Sequence, residues 1–262
     1  MGHIIAITNR RGKVGKSTTA VNLAVAFARL RKRILLVDLD SAGSCAKIFG
    51  FNKQEFTSDI FSTSNNNISL KDFILKTKIK NLELIHIRRL PYLDELKIGH
   101  ISANEQILKN VLKPALINYD YIIIDCPPHH TGNINAALIT ADSVLIPVAT
   151  GKFSAAAVRK MMAQFYDIRD NYNPDLAICG ILLTIYEFNN ENSFALKKEL
   201  FKDYPGLILS TSIPKSANVK LAVENNEPLL LFKPDDRASK AYSKLVDELF
   251  ERKNLFNSKR KL

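Results

Sequence analysis

The run Asn9-Arg10-Arg11-Gly12-Lys13-Val14-Gly15-Lys16-Ser17-Thr18-Thr19 constrains this chain more than any other stretch. Before it, Ile4-Ile5-Ala6-Ile7-Thr8 is a short apolar segment that reads as a buried strand. After it, Ala20, Leu23, Ala24 and Phe27 recur at helical spacing. A strand, a glycine-containing turn ending Gly15-Lys16-Ser17 and then a helix make the P-loop arrangement. The first N–H groups of such a helix have no intrahelical partners, and the helix dipole adds partial positive charge, so the turn favours phosphate. Gly12, Lys13, Val14, Gly15, Lys16, Ser17 and Thr18 are the candidate phosphate-binding residues. In this motif the lysine reaches the terminal phosphates and the serine hydroxyl ligates Mg²⁺. The chain is predicted to bind a nucleoside triphosphate.

Apolar β-type runs alternate with helical patterns almost throughout. That alternation predicts an α/β fold, a doubly wound and mostly parallel sheet with helices on both faces. Strands are predicted over 3–8, 33–38, 82–87, 121–126, 143–148, 176–184 and 207–210, and helices over 17–31, 104–117, 153–169, 193–202 and 237–253. The polar stretch 62–69 reads as a loop, because the alternation resumes beyond it. One domain over 1–251 is expected, followed by a tail over 252–262 that holds five basic side chains and no acid.

At 262 residues with 46% hydrophobic side chains, the chain can bury a full core, which argues against global disorder. No apolar run approaches membrane-spanning length and no leader pattern precedes the first strand, so a cytosolic protein is expected. Cys45, Cys126 and Cys179 are too widely spaced for a disulfide framework and read as reduced thiols. The formal charge of +11 favours a polyanionic partner, although a solvated basic surface gives the same number.

Two more boxes carry chemistry. The segment Leu35-Leu36-Val37-Asp38-Leu39-Asp40 should deliver both carboxylates to the carboxyl end of its strand, where ligands of open α/β sheets bind. Such a pair suits a Mg²⁺-bound, water-positioning site, while one of the two could instead cap the following helix. Tyr121-Ile122-Ile123-Ile124-Asp125-Cys126-Pro127-Pro128 is an apolar strand ending in Asp125, the residue type that holds Mg²⁺ through water. His129 and His130 follow it, but consecutive side chains seldom face one ion and no partner stands at ligand spacing.

Together these segments resemble the deviant Walker A box, the V-D-x-D box and the D-x-P-P switch of the ParA/MinD ATPases, closest to ParA (Soj-like), with features of the McdA-like positioning branch. The resemblance runs from residue 4 to about residue 250 and has departures. Arg11 stands where the family's signature lysine does, Lys13 where its second glycine does, and Ser41-Ala42 replaces Pro-Gln. The resemblance implies ATP as the nucleotide, with Asp40 orienting the attacking water, Asp38 supporting the metal shell, and Ser17, Asp38 and Asp125 as the metal residues. Ser212-Ile213-Pro214-Lys215 looks like the family's I-P-[RK] element, which puts Pro214 over the adenine.

The family forms ATP-sandwich dimers in which a cation reaches the partner's phosphates. Arg11 keeps the charge for that role, and Lys152, in Ala149-Thr150-Gly151-Lys152-Phe153, is the alternative suggested by the McdA-like branch. Catalytic roles thus fall on Lys16, Asp40, Arg11 and Lys152. The resemblance further implies ATP-gated, non-specific DNA binding, with Lys215, Lys220, Lys233, Arg237 and Lys240 as candidate contacts. It also implies nucleoid association and a ParB-like or McdB-like adaptor that stimulates hydrolysis while a cargo is partitioned or positioned. Two other classes compete. One is a MinD-like membrane-associated regulator of division using Leu249, Phe250, Leu255 and Phe256. The other is a metabolic P-loop enzyme.

Overall fold

A computed structural model describes residues 2–52, 70–86, 106–129, 131–151 and 153–259. The predicted loop 62–69, residue 87 of the third strand and residues 104–105 of the second helix lie outside the described residues. In chain order the elements are β1 (His3–Ile7), α1 (Lys16–Arg29), β2 (Ile34–Asp38), α2 (Ser44–Ile48), a 3₁₀ turn (Leu70–Phe73), β3 (Leu75–Lys76), β4 (Leu82–His86), α3 (Gln106–Ala115), β5 (Tyr121–Asp125), α4 (Thr131–Thr140) and β6 (Ser143–Ala149). They continue with α5 (Ser154–Asn171), β7 (Ala177–Tyr186), α6 (Glu191–Asp203), β8 (Ile208–Pro214), α7 (Asn218–Glu224), α8 (Leu229–Phe232) and α9 (Arg237–Lys259).

The eight strands form one sheet in the order β3-β4-β2-β5-β1-β6-β7-β8. Every pairing is parallel except the short β3 against β4. This is the mostly parallel, doubly wound sheet that the alternation predicts. Period-2 geometry sends neighbouring side chains of a strand to opposite faces, and both faces are filled. Ile4 and Ala6 join the core under α3 to α6, with Leu112, Ile139, Val158 and Leu200. Ile5 and Ile7 join the other core, with Phe27, Ala46, Leu230 and Leu245 from α1, α2, α8 and α9.

The elements that the periodicity misses are short or buried nearly all round. Strand β3 has two residues and α2 five, too few to show a period. Helix α4 reads Thr-Gly-Asn-Ile-Asn-Ala-Ala-Leu-Ile-Thr; it is buried along most of its length and so carries no polar stripe. Helix α9 runs on to Lys259, so the boundary expected at 252 falls inside it. Arg252 donates to the carbonyls of Gly206 and Ile208 at 3.0 and 2.9 Å, which ties that point of α9 to the body. Leu249 is buried and Phe250 stacks edge-on against Phe27 at 5.5 Å, so two of the four side chains considered for a lipid surface face protein. The side chains of Leu255 and Phe256 lie outside the described residues.

The edge strand β8 is closed by a side chain. Glu248 of α9 accepts the N–H groups of Ser210 and Thr211 at 2.7 and 2.8 Å, which occupies edge donors that would otherwise be open to another strand. Register then sets up the functional end. In the parallel ladders His86 lies opposite Asp38, and Asp38 opposite Asp125, while Ile7 also faces Asp125. Four strands therefore finish level, and the turn leaving β1 opens beside two aligned carboxylates.

Candidate nucleotide site

Between β1 and α1 the chain wraps tightly. Gly15 has φ +78°, in the left-handed region that a Cβ disfavours, and it hands the chain directly to Lys16 at the first turn of α1. Lys13 also sits at φ +60°. A lysine there bears a backbone strain of about 1 kcal/mol that glycine would not, and this is the position where the resembled family has glycine. No side chain caps α1 and no acid stands in its first turn, so its dipole and leading N–H groups are left for an anion. Two buried hydroxyl and amide groups fix the loop from outside: Thr184 Oγ1 donates to the Val14 carbonyl at 2.8 Å, and Asn9 Nδ2 to the Pro147 carbonyl at 2.8 Å. Lys16 curls back so that Nζ donates to the Arg11 carbonyl at 3.0 Å. Burial lowers the Lys16 pKa, and the charge of Asp125 works against that shift.

Asp38 and Asp125 are both fully buried. Asp38 uses its oxygens on the loop that follows it. Oδ1 accepts the Asp40 N–H at 3.1 Å, and Oδ2 accepts the N–H of Cys45, in the first turn of α2, at 2.9 Å. Of the two helix-capping candidates, Asp38 is thus the one that bonds the α2 terminus. Asp40 is half-buried and its Oδ1 accepts the Ala42 N–H at 3.0 Å. Asp125 differs: Oδ2 accepts the Cys45 thiol at 3.3 Å, whereas Oδ1 is buried with no hydrogen-bond partner. Burial, and then the neighbouring Asp38, push the Asp125 carboxyl well above the carboxylate range; the Ser17 hydroxyl pulls it back. A buried carboxylate oxygen without a partner beside Ser17 is what an oxygen-preferring divalent cation requires, so these residues fit Mg²⁺. Among the described residues one cluster of metal-type donors occurs, and it is Asp38, Cys45 and Asp125.

Three contributors escape the sequence. His86 Nδ1 lies 3.5 Å from Asp38 Oδ2, with both side chains buried. Cys45 binds Asp38 through its N–H and Asp125 through its thiol. Ser154, 2% exposed, receives the guanidinium of Arg11. The pairing of β4 with β2 locates His86, but strand order is not written in any local pattern. His129 is exposed, and His130 lies outside the described residues.

Other predicted residues spread outward from this centre. Gly12, Ser17 and Thr18 are half-buried along the turn, Lys13 is exposed and Val14 buried. Lys152 lies outside the described residues. Pro214 is half-buried at the end of β8. All five DNA candidates are exposed. Asp236 accepts from Ser216 Oγ, Asn218 Nδ2 and the Ala238 N–H at 2.9, 2.7 and 2.8 Å, and so ties the segment after β8 to the start of α9. That tie joins the segment that carries Lys215 and Lys220 to the one that carries Arg237 and Lys240. Lys215, Lys220 and Lys240 each have an acid within 4.0 Å: Glu187, Glu224 and Asp235.

Comparison with known proteins bears on the family and the fold. Residues 2–178 match the family model described as an AAA domain. The sporulation initiation inhibitor protein Soj of Bacillus subtilis is 32% identical over 249 residues, 95% of this chain and 98% of that protein. The chromosome partitioning protein ParA of Caulobacter vibrioides is 29% identical over 95% of this chain and 94% of its own. Among solved structures, apo McdA of Cyanothece superposes with a TM-score of 0.82 at 20% identity, covering 95% of this chain and all of that one. Cobyrinic acid a,c-diamide synthase of Mycobacterium smegmatis, with bound ADP and magnesium, gives 0.81 at 22% identity, covering 97% and 96%. These last two show the fold alone. With its P-loop, its aligned strand-end carboxylates and full-length relatives of this kind, the chain belongs to the ParA/MinD family of deviant Walker A ATPases.

Proposed function

We propose that this protein is an ATP-driven switch of the ParA type, which dimerises on ATP, binds DNA without sequence preference and partitions or positions a cargo. The observation that carries the chemistry is the partnerless buried oxygen of Asp125 beside an uncapped, acid-free start of α1. Lys16, Ser17 and the backbone of 12–18 hold the triphosphate of ATP. Ser17 and Asp125 hold Mg²⁺, and Asp38 supports that shell by shaping the loop in front of it. When bound, the ion neutralises charge that develops on the phosphates. Asp40, with one oxygen spent on its own turn, orients the attacking water, and Pro214 lines the adenine. Arg11 and Lys152 are the two candidates for the cation that reaches the partner's phosphates.

The partitioning role draws on the family and on relatives such as the Caulobacter partitioning protein. The DNA role draws on the net charge of +11 and on the exposed cations around α7 and the start of α9. Dimerisation doubles that surface, so weak phosphate contacts add by avidity. No helix among the described residues is long and apolar enough to cross a membrane. A ParB-like or McdB-like adaptor would stimulate hydrolysis at the nucleoid.

Binding to a random-sequence duplex without nucleotide, with ADP and with ATP, at two salt concentrations, tests this function. Tight, salt-sensitive binding is expected with ATP only. The Asp40→Ala variant should keep ATP-dependent binding while turnover falls by roughly a hundredfold or more. Binding that ignores nucleotide or salt would overturn the switch.

A further inference from the structure

The Arg11 guanidinium lies on its own chain. Nη1 donates to Ser154 Oγ in the first turn of α5, and that hydroxyl donates onward to the Ala149 carbonyl at 2.6 Å. The same guanidinium covers the α-carbon of Gly151. A Cβ added at Gly151 would stand 2.5 Å from Nη1 and 2.8 Å from Cζ of Arg11, closer than such atoms can approach. Gly151 is not in the left-handed region, so a side chain there would meet no backbone strain and would act only by pushing the guanidinium aside. The backbone of Arg11 is fastened as well: its N–H donates to Asn9 Oδ1 at 2.9 Å, and its carbonyl accepts Lys16 Nζ at 3.0 Å. To reach a partner's phosphates, this side chain must give up a charge-assisted bond to a buried hydroxyl and uncover Gly151.

We propose that Arg11 is a positioning residue acting in cis: it ties Gly151, at the end of β6, and Ser154, at the start of α5, to the P-loop and thereby holds Lys16 in place for nucleotide. The clamp rests on the nucleotide-binding function proposed above and describes the chain before a partner is engaged. The lysine-to-arginine change at position 11 then makes physical sense, because a planar fork can bond a hydroxyl and cover a glycine at once, whereas an ammonium is a point charge.

The test compares wild type with Arg11→Ala, Ser154→Ala, Gly151→Ala and the Arg11→Ala/Ser154→Ala pair, all as full chains. Fluorescent mant-ADP binding is measured on the monomer, and ATP-dependent dimerisation by sedimentation. A cis clamp predicts that the three single variants weaken mant-ADP binding by similar factors, about threefold to tenfold, and that the pair is no worse than Arg11→Ala alone. Gly151→Ala removes no charge and no hydrogen-bonding group, so its weaker binding identifies eviction of the guanidinium. Wild-type mant-ADP affinity in Arg11→Ala and Gly151→Ala would overturn the clamp, as would loss of dimerisation confined to Arg11→Ala. If wild type itself fails to dimerise with ATP, the switch fails, while the mant-ADP comparison still decides the clamp.

Discussion

Asp125 shows how one residue can oppose folding and serve binding. Its carboxyl is fully buried, Oδ1 has no partner, and Asp38 lies beside it across the β2–β5 ladder. Burial and Asp38 raise this carboxyl well above its unfolded pKa, so at neutral pH folding must hold a proton that the unfolded chain would release, a penalty that a cation at this site would relieve. Asp125→Asn should therefore raise the melting temperature of the nucleotide-free protein, by about 2–4 °C for each kcal/mol recovered. The same variant should lose the extra stabilisation that Mg²⁺ with ATP gives the wild type. Differential scanning calorimetry with and without Mg²⁺–ATP checks both halves. A lower melting temperature in the nucleotide-free variant would mean that Asp125 is a net structural asset. Lys13 is the converse case, a residue with a strained backbone whose cost is visible only once φ is known.

At the scale of elements, α9 closes the sheet with a charged pair of its own. Glu248 on α9 binds two N–H groups of β8, and Arg252, one turn on, binds the carbonyls of Gly206 and Ile208. Burial works to raise the Glu248 pKa, but the N–H donors of Ser210 and Thr211 outweigh it and hold the carboxyl below its ordinary value. A carboxylate depressed in the folded state adds stability that is present above its unfolded pKa and lost as pH falls through the folded one. Glu248→Ala should cost roughly 2 kcal/mol or more at neutral pH by removing two charge-assisted bonds. The gap from wild type should narrow as pH falls below about 4. Urea unfolding at pH 7 and pH 3.5 reads this directly, and a pH-independent gap would assign the effect to packing instead.

For the whole molecule, charge is the property to test. Lys215, Lys220, Lys233, Arg237 and Lys240 are all exposed, and three of them have acids close by. Replacing all five by Ala removes five positive charges and releases Glu187, Glu224 and Asp235 to repel phosphate. The slope of log affinity against log salt should flatten by about 0.9 for each phosphate that the variant no longer neutralises. An unchanged slope would move the DNA surface elsewhere on the molecule. What the sequence alone determined is local: a strand, a glycine-containing turn and a helix within 3–31, two strands ending in aspartate, and an alternation that admits few sheets other than a parallel one. Such features rest on nearest neighbours along the chain, so a one-dimensional pattern can carry them. Tertiary structure decided the rest, because it depends on strand order and register. Parallel pairing of β4, β2 and β5 puts His86, Asp38 and Asp125 in one row, and only the approach of the P-loop to the β6–α5 segment lays Arg11 against Gly151 and Ser154. Those residues are up to 143 positions apart, and no local propensity encodes a contact at that separation.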